Sequence, residues 1–478
     1  MEKDIDSNRI ILLFDRYTLE NRLLYESVRK LSADCLAIVL EDNCFLPKDV
    51  LSVYDLFLGN DIDSIEKAER PKYYNEIVIP DKWSINAGVD EGYGIISYQH
   101  EEKGRIHYIK PKENFVKAVE WYDRKGATRF WDHYNRYGDL CARTVCDHEG
   151  QRISKSWFTA KGQEVIVENI KTGDIILNEG NSTKFFQAKV DMFIYCFKKF
   201  GLVKYRIFYN SLSTPFFISN ALGGSSKGDI LFWQEAVGDN IPDNMQMILN
   251  GQAGRTAKII VQKKSAYNRL VKLGANKEVI TELGFIFPFE KENQHKWEAL
   301  IFTNTDQIEH CRELVEVFPQ MNFHIAAVTE MSANLMGLQN YKNVSLYPGA
   351  VPEVLDELFK KCDYYFDINH YNEIGSAVLR AFLHNHLIFA FDETLHNGEY
   401  VAEEHIYSVT EFEKMVSEIK AVMESESSLD QNLERQRKHA LAENVETYRN
   451  VIYNNHQKEE PVVDMNLKGH LLRLLKNP

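Results

Sequence analysis

WYDRKGATRFWDHYNRYGDL, residues 121–140, carries the pattern that sets the architecture of this chain. It contains two glycines twelve residues apart, each behind a turn-forming Asp123 or Asn135, and the same spacing continues downstream. The glycines of this period are Gly126, Gly138, Gly150 and Gly162. Twelve residues accommodate one strand of about eight residues, roughly 26 Å long, together with a turn. The period therefore predicts an antiparallel β-meander.

Side chains within the meander alternate between two faces. Phe130, Asp132 and Tyr134 fall on one face, and Trp131 and His133 on the other. Because aromatic side chains occur on both faces, two interpretations stay open. Either one face packs on the chain's own domains while the other carries isolated exposed rings, or the sheet is a docking surface for another protein. The candidate partner-interface residues are Trp121, Tyr122, Phe130, Trp131, Tyr134, Trp157 and Phe158.

On both sides of the meander, the sequence alternates buried strands with amphipathic helices. RIILLF (9–14) and CLAIVL (35–40) are such strands, and a polar connector at 288–298 separates two runs of this pattern. The alternation predicts an α/β protein with two doubly wound, Rossmann-like domains. The predicted domains are 1–100 with 188–290 for the first Rossmann-like domain, 101–187 for the inserted meander, 291–455 for the second Rossmann-like domain, and 456–478 for a C-terminal helical tail.

Composition narrows the function. The 478 residues carry a net charge of −14, which argues against nucleic-acid binding, and no apolar run approaches the ~20 residues that span a bilayer. We therefore expect a cytosolic protein. The seven cysteines form no C-x-x-C pair, so we expect reduced thiols and no metal site. The turn after the first strand, DRYTLEN (15–21), has no glycine, and we predict no dinucleotide or other cofactor.

Three further stretches carry a family resemblance when read together with the meander: FDINHYNE (366–373), LIFAFDETLHN (387–397) and YVAEEHIY (400–407). From about residue 9 to residue 410, the chain resembles the GtfB family, the stabilising subunits of accessory-Sec O-GlcNAc-transferase complexes. These complexes modify serine-rich repeat adhesins in Gram-positive bacteria. The resemblance implies a GT-B fold, in which two Rossmann-like domains face each other across a cleft.

The resemblance also implies the partners. A GtfA-like catalytic subunit would dock through the meanders and supply the UDP-GlcNAc-dependent activity, while this chain would bind the unfolded serine-rich repeat adhesin in its own cleft. A cytoplasmic location is implied as well, with peripheral attachment at the cell membrane or association with the accessory SecA2/SecY2 export machinery. No basic amphipathic segment in the sequence predicts that attachment.

An active transferase of this kind must place cations and helix N-termini against the departing UDP. Active relatives have an Arg and a Lys after the first strand of the second domain, where this chain reads TNTDQIEH (303–310), with Asp306 and Glu309. A carboxylate ~4 Å from a phosphate charge costs about 4 kcal/mol at an effective dielectric of 20, so we expect poor nucleotide binding. Alternatively, these acids only complement a helix dipole.

The loop after the next strand also differs from that of active relatives in a way that disfavours nucleotide binding. Relatives have a glycine-containing loop there that lets the sugar donor approach the backbone. This chain reads TEMSAN (329–334), which puts Glu330 and Met331 in that space. The substitution is again expected to disfavour a nucleotide sugar.

The third departure lies in DINHYNEIGSAVLRAF (367–382). The pattern of active relatives, Glu followed by seven residues and a second Glu, falls here on Asn372 and Arg380. A shift of one residue to Glu373 does not bring a carboxylate to both places. We therefore predict that the chain is not an enzyme on its own.

The same loops are suited to hold a polypeptide. Their amide and hydroxyl groups would hydrogen-bond a Ser/Thr-rich chain along its length. The acceptor-cleft candidates are Asn304, Thr305, Asp306, Glu330, Met331, Ser332, Asn369, His370 and Asn372. As alternatives, Asp306 and Ser332 only cap helices, and His370 makes only a polar contact. Two competing functions are an active retaining GT-B transferase with a rearranged UDP-GlcNAc pocket and a free-standing GT-B epimerase.

Overall fold

The computed structural model describes residues 6–31, 34–41, 44–58, 68–88, 92–109, 113–223 and 228–453. These form two compact units by their internal contacts. The first runs to Trp233 and includes Ile241–Ile260, and the second contains Gln234–Asn240 and continues from Val261. The predicted helical tail, 456–478, lies outside the described residues. No helix in the described part of the chain is long and apolar enough to cross a membrane.

The first α/β domain begins with strands that are buried along their length. Ile10 to Phe14 have no exposed surface, as central strands of a parallel sheet require when helices cover both faces. Strand β1 pairs in parallel with β2, from Ile10 opposite Cys35 to Phe14 opposite Val39. The elements of this part are β1 (Asp6–Phe14), α1 (Leu19–Arg29), β2 (Cys35–Val39), β3 (Val50–Ser52) and α2 (Asp55–Leu58).

After α2 the chain builds one ten-stranded antiparallel sheet whose strands follow sequence order, which confirms the predicted meander. Its strands are β4 (Ser84–Ala87), β5 (Tyr93–Tyr98), β6 (Glu101–Tyr108), β7 (Val116–Tyr122), β8 (Thr128–Tyr134), β9 (Leu140–Cys146), β10 (Arg152–Phe158), β11 (Glu164–Asn169), β12 (Ile175–Glu179) and β13 (Ser182–Phe186). The sheet begins at Ser84, whereas the predicted boundary of the meander was residue 101. Strands β4 and β5 precede the glycine period from which that boundary was predicted.

The turns of the meander explain the twelve-residue period. Its four glycines all have a φ between 78° and 82°, a left-handed conformation that other residues adopt only with strain. The residue three positions earlier closes the turn with its side chain. Asp123 Oδ1, for example, accepts from the backbone N–H of Lys125 at 2.7 Å and of Ala127 at 3.0 Å. Each turn therefore specifies its own hairpin.

The chain then returns to the parallel sheet. Strand β14 pairs with β1, so the meander is an insertion into the first α/β domain. The sheet order is β17-β16-β15-β14-β1-β2-β3. The elements are α3 (Lys189–Lys199), β14 (Tyr205–Tyr209), α4 (Thr214–Leu222), β15 (Asp229–Trp233), α5 (Asp243–Leu249), β16 (Thr256–Val261), α6 (Lys264–Lys272) and β17 (Ile280–Glu282).

A second parallel sheet of six strands has the order β20-β19-β18-β21-β22-β23. Its elements are β18 (Glu298–Thr303), α7 (Cys311–Val317), β19 (Asn322–Ala327), α8 (Ala333–Met336), β20 (Val344–Tyr347), α9 (Pro352–Lys361), β21 (Tyr364–Asp367), α10 (Ala377–Leu383), β22 (Leu387–Phe391) and β23 (Ile406–Tyr407), followed by α11 (Phe412–Glu424), α12 (Glu426–His439) and α13 (Val445–Tyr453). The predicted fold class, two parallel α/β sheets with an inserted antiparallel sheet, is confirmed.

Trp157 anchors the meander to the first α/β domain. Its side chain is 3% exposed and stacks on Tyr54, with ring centroids 4.3 Å apart and planes 8° from parallel. Phe193 of α3 meets the same tyrosine edge-on. The partner-interface prediction is therefore wrong for Trp157. Strand alternation assigns a residue to a face, but it does not show which part of that face the chain itself covers.

The opposite face of the meander is covered at the other end of the sheet. Ile96, Ile106 and Val119 form a buried cluster with Ile77, which belongs to the segment that precedes β4. Two interface candidates, Trp121 and Tyr134, pack against this cluster and are half-buried. The chain thus covers some of its own aromatic side chains on each face: Trp157 on one, and Trp121 and Tyr134 on the other.

The expectation of reduced thiols is wrong for one pair. Cys44, in the loop after β2, forms a disulfide with Cys141 of β9. The two residues are 97 positions apart, so no spacing motif announces the pair. The free cysteines among the described residues are Cys35, Cys146, Cys196, Cys311 and Cys362. The bond links the meander covalently to the first α/β domain.

We expect reduction of this disulfide to lower the melting temperature, because the crosslink closes a long loop and removes up to about 4 kcal/mol of unfolded-state entropy. Alkylation of the denatured, unreduced protein will label five of the seven cysteines, and prior reduction will expose all seven. Cys44→Ser will abolish the effect of reductant on melting. Cys146→Ser, on the same strand as Cys141, is the matched control and will preserve it; seven labelled thiols without reduction would contradict the pairing.

Candidate functional site

The candidate site lies at the carboxyl edge of the six-stranded sheet. Strand order reverses between β18 and β21, and ligands of doubly wound sheets bind where the loops diverge at such a point. Three loops follow β18, β19 and β21. An antiparallel bridge between Ile308 and Asn369 joins the first loop to the third, and Glu309 N donates to Ile368 O at 2.8 Å. The first and third loops therefore form one continuous surface.

A side-chain contact also joins the first loop to the second. Ser332 Oγ donates to Asp306 Oδ2 at 3.1 Å and accepts from Leu335 N at 3.3 Å, so it caps α8 as the alternative interpretation predicted. Asp306 takes part in this contact as the acceptor of the serine hydroxyl. Thr305 Oγ1 accepts from Gln307 N within the first loop at 3.1 Å.

The remaining candidates of these two loops differ in exposure. Asn304 and Glu330 are exposed. Met331 is half-buried and packs against the hydrophobic core of the domain. Part of the Met331 side chain therefore contacts the core, and its place in the ligand space stays a prediction.

The third loop holds the other three candidates. Asn369 is 1% exposed, whereas Asn372 is exposed. His370 Nε2 lies 2.9 Å from Glu309 Oε2 in the first loop, which agrees with the polar-contact alternative for this histidine. Among these three, only Asn372 is exposed.

Arg380 and Glu373 both act within the second unit's own structure. Arg380 lies on α10, where it forms an ion pair with Asp356 of α9 and stacks its guanidinium 4.1 Å from the centroid of the Phe359 ring. Glu373 Oε1 accepts from Val378 N at 2.9 Å at the start of α10, and burial raises the pKa of its carboxyl. Arg380 is thus engaged with α9, and Glu373 with the start of α10.

The sequence analysis missed the pair that fastens the third loop. Asp367 ends β21 with no exposed surface, and His396 follows β22. His396 Nδ1 lies 2.6 Å from Asp367 Oδ1, its backbone N–H donates to Oδ2 at 2.8 Å, and its Nε2 lies 2.9 Å from Tyr371 O. The hydrogen bond to Asp367 raises the pKa of His396. The sequence did contain a signal for this pair. Asp367 ends β21 and His396 follows β22, and the carboxyl ends of these neighbouring parallel strands meet at one edge of the sheet.

Carboxylates dominate the charge of these loops. The segments 303–310, 328–334 and 368–376 contain no Lys or Arg. Their acids are Asp306, Glu309, Glu330 and Glu373. Within the described part of the chain, no group of three or more His, Cys, Asp or Glu residues is arranged to hold a metal ion. The edge therefore offers amides, hydroxyls and carboxylates, which suit a hydrogen-bonding ligand better than a diphosphate.

The meander carries a second candidate surface, on the part of its face that Trp157 does not use. Trp131 is half-buried, with the His107 ring centroid 4.8 Å and the His133 centroid 6.5 Å from its own. Glu120 lies opposite Trp131 in the strand register and accepts from Tyr122 Oη at 3.2 Å. We call this set, His107, Glu120, Tyr122, Trp131 and His133, the Trp131 surface. It combines aromatic rings with hydrogen-bonded polar groups.

Two other interface candidates lie outside the Trp131 surface. Phe130 is half-buried on the opposite face, beneath the Arg143 guanidinium at 4.8 Å from its ring centroid. Phe158 is half-buried at the end of β10. The structure thus distributes the candidates over both faces, and it does not bring them into one patch.

Comparison with protein families covers most of the chain. The GtfB N-terminal domain matches residues 11–57, the GtfB middle domain 83–187, the GtfB third domain 189–273, and the GftB/GlyA-F C-terminal domain 299–436. The middle-domain match has nearly the same extent as the antiparallel sheet, Ser84–Phe186.

Individual relatives match over nearly their whole length. The chain is 40% identical over 446 residues to the UDP-N-acetylglucosamine–peptide N-acetylglucosaminyltransferase stabilizing protein GtfB of Streptococcus agalactiae, with 93% of this chain and 99% of that protein covered. It is 41% identical over 402 residues to the GtfB of the same description from Streptococcus parasanguinis, with 84% and 90% covered.

Solved structures agree. A crystal structure of a GtfA/B complex bound to UDP and GlcNAc contains a chain that is 34% identical, with a TM-score of 0.82 over 93% of this chain and 99% of that one. The pneumococcal O-GlcNAc transferase GtfA, at 10% identity and a TM-score of 0.58 over 93% of this chain and 99% of that one, shares the fold. Since its relatives exceed 30% identity over nearly their full length, this chain belongs to the GtfB family of N-acetylglucosaminyltransferase stabilizing proteins.

Proposed function

We propose that this chain is the non-catalytic, stabilising and acceptor-binding subunit of a protein O-GlcNAc-transferase complex. Its partner is a GtfA-like catalytic subunit, and its ligand is a serine-rich polypeptide that becomes glycosylated on Ser and Thr before export. The support comes from family membership together with the chemistry of the three loops at the edge of the six-stranded sheet.

The observation that carries the proposal is the charge of that edge. A transferase needs cations where the diphosphate leaves, whereas the loops here carry four acids and no Lys or Arg. At ~4 Å and an effective dielectric of 20, each carboxylate costs a phosphate charge about 4 kcal/mol. Arg380, the nearest candidate cation in the sequence pattern, is paired with Asp356 on α9.

The same edge supports binding of a polypeptide. Asn304 and Asn372 are exposed on the first and third loops, and their amides can donate to and accept from a peptide backbone. Tyr371, whose side chain is 68% exposed, adds an aromatic surface beside Asn372. A serine-rich ligand has few large side chains, so backbone hydrogen bonds must supply most of its affinity.

We propose a cytoplasmic location for this activity, since the acceptor is modified before it is exported. Five cysteines remain free thiols among the described residues, which suits a reducing compartment. In such a compartment the Cys44–Cys141 bond would be open in a fraction of molecules set by the local redox potential.

The isolated chain is expected to bind a synthetic serine-rich peptide and to show no saturable binding of UDP-GlcNAc below about 1 mM by titration calorimetry. Asn304→Ala combined with Asn372→Ala will weaken peptide binding about tenfold, because each lost hydrogen bond is worth about 0.5–1.5 kcal/mol. Gln339→Ala removes an exposed amide outside the three loops and serves as the matched control.

The competing transferase function makes the opposite prediction. The isolated chain would then turn over UDP-GlcNAc, by hydrolysis or by transfer to the peptide. Turnover that persists after removal of all GtfA-like protein and is abolished by Asn372→Ala would overturn the proposal. Saturable nucleotide binding without peptide binding would count equally against it.

The Trp131 surface is proposed as the site where the GtfA-like subunit docks. Trp131→Ala with Tyr122→Ala removes two aromatic rings from one face of the meander, and we expect at least a tenfold loss of affinity for the catalytic subunit in a pull-down or calorimetric assay. Partially exposed aromatic rings among polar groups are typical of interface centres.

Two controls make this test specific. Phe185→Ala removes a ring that is 62% exposed on the opposite face of the sheet, and it should leave the affinity unchanged. Trp157→Ala should instead lower the melting temperature, because it opens a cavity against Tyr54. Full association of the Trp131→Ala and Tyr122→Ala double variant, with an unchanged melting temperature, would exclude the Trp131 surface as the interface.

A further inference from the structure

One side chain, that of His396, ties the third loop of the candidate site to the loop after β22. His396 contacts the carboxylate of Asp367 with one ring nitrogen and the carbonyl oxygen of Tyr371 with the other, at 2.6 and 2.9 Å. Its side chain is 8% exposed, and that of Asp367 is 1% exposed. The contact therefore joins the end of β21, the loop after β22 and the exposed loop 368–376, and its His396–Asp367 part is buried.

The chemistry of these partners constrains the protonation state of His396. A carboxylate and a carbonyl both accept hydrogen bonds, and neither can donate one. A neutral imidazole has one N–H and can satisfy only one of the two. The imidazolium form donates to both the Asp367 carboxylate and the Tyr371 carbonyl, so the two contacts favour a charged His396.

The loop that His396 holds needs such a restraint. Tyr371 has a φ of 72°, a left-handed conformation that costs an ordinary residue about 1–3 kcal/mol relative to extended backbone. Its carbonyl is the group that His396 Nε2 engages. Loss of that bond would leave the strained residue free to relax, and the adjacent Asn372 would move with it.

We propose that His396 is a proton-dependent positioning residue that fixes loop 368–376 in the conformation that binds the acceptor polypeptide. This inference rests on the proposed acceptor-binding function for its role, but the restraint of the loop can be measured without any ligand. His396 itself need not touch the acceptor.

The direction of the pH dependence follows from the charges around the ring. Asp367 of β21 and Glu373 of the third loop face His396, and the hydrogen bond to Asp367 is the larger cause of its raised pKa. We call the contact of His396 with Asp367 and Tyr371 the latch. Because the pKa of His396 is raised in the folded state, the latch is complete below the ordinary histidine pKa of about 6.5. It opens as the pH rises through the folded-state pKa of His396. Peptide affinity should therefore fall from acid to alkaline pH.

The test compares serine-rich peptide binding at about pH 6 and about pH 8.5 for the full-length chain and its variants. Wild type should lose roughly tenfold in affinity over this range, which corresponds to one lost charge-assisted hydrogen bond. His396→Ala should bind weakly at both pH values. His396→Gln carries a neutral amide donor toward Tyr371 and should restore binding without the pH dependence.

Two controls identify the titrating group. His439→Gln changes a histidine of α12 whose Nε2 contacts Gly398 O, and it should keep the wild-type profile. Glu373→Gln removes the other carboxyl that faces His396 and should keep a fall in affinity with rising pH. A wild-type pH profile in His396→Ala would overturn the inference.

A readout without peptide separates this inference from the proposed function. Hydrogen–deuterium exchange of residues 368–376, compared at one acidic pH, should be at least severalfold faster in His396→Ala than in wild type or His439→Gln. If no peptide binds at any pH, the proposed function fails, while faster exchange still supports the latch. Equal exchange in wild type and His396→Ala would overturn the latch whatever the peptide result.

Discussion

A sheet of ten antiparallel strands has two broad faces, and the way the chain covers them determines the arrangement of the first unit. One face buries Trp157 against Tyr54 toward one end, and the other buries Val119 with Ile77 toward the opposite end. The chain thus covers a different face of the sheet toward each end. Between these covered regions, Trp131 lies half-buried beside His107, Glu120 and His133. In our proposal, this is where the catalytic subunit docks.

The parts of this structure that have a local cause could be predicted from the sequence. A left-handed glycine and an Asx side chain close each turn of the meander, so the strands and their faces followed from the twelve-residue period. Features that depend on packing at a distance could not be predicted. Trp131 and Trp157 share a face by alternation, yet only Trp157 lies against the first α/β domain. The Cys44–Cys141 pair closes a separation of 97 residues for which the sequence carries no motif.

In the candidate site too, some features could be predicted from the local sequence, and others depend on contacts between distant residues. The loops follow from strand order, and the absence of cations in them can be read directly from the sequence. The contacts that join the loops, between Ile308 and Asn369, Ser332 and Asp306, and His370 and Glu309, arise only when neighbouring strands end at one edge. Beside these contacts, Asn304 and Asn372 stay exposed. The three loops therefore form one connected polar edge.

A low-complexity acceptor offers few distinctive side chains, so its binding site gains more from a fixed loop than from a deep pocket. The buried Asp367–His396 pair suits that need, because such pairs add little net stability but can select one conformation among several. In our proposal, it holds Tyr371 in its left-handed conformation through the contact with the Tyr371 carbonyl. Catalysis requires cations against a leaving diphosphate, whereas holding a polypeptide requires none. In our proposal, one fold can therefore lack the cations needed for catalysis and still hold a polypeptide, because a partner subunit performs the chemistry.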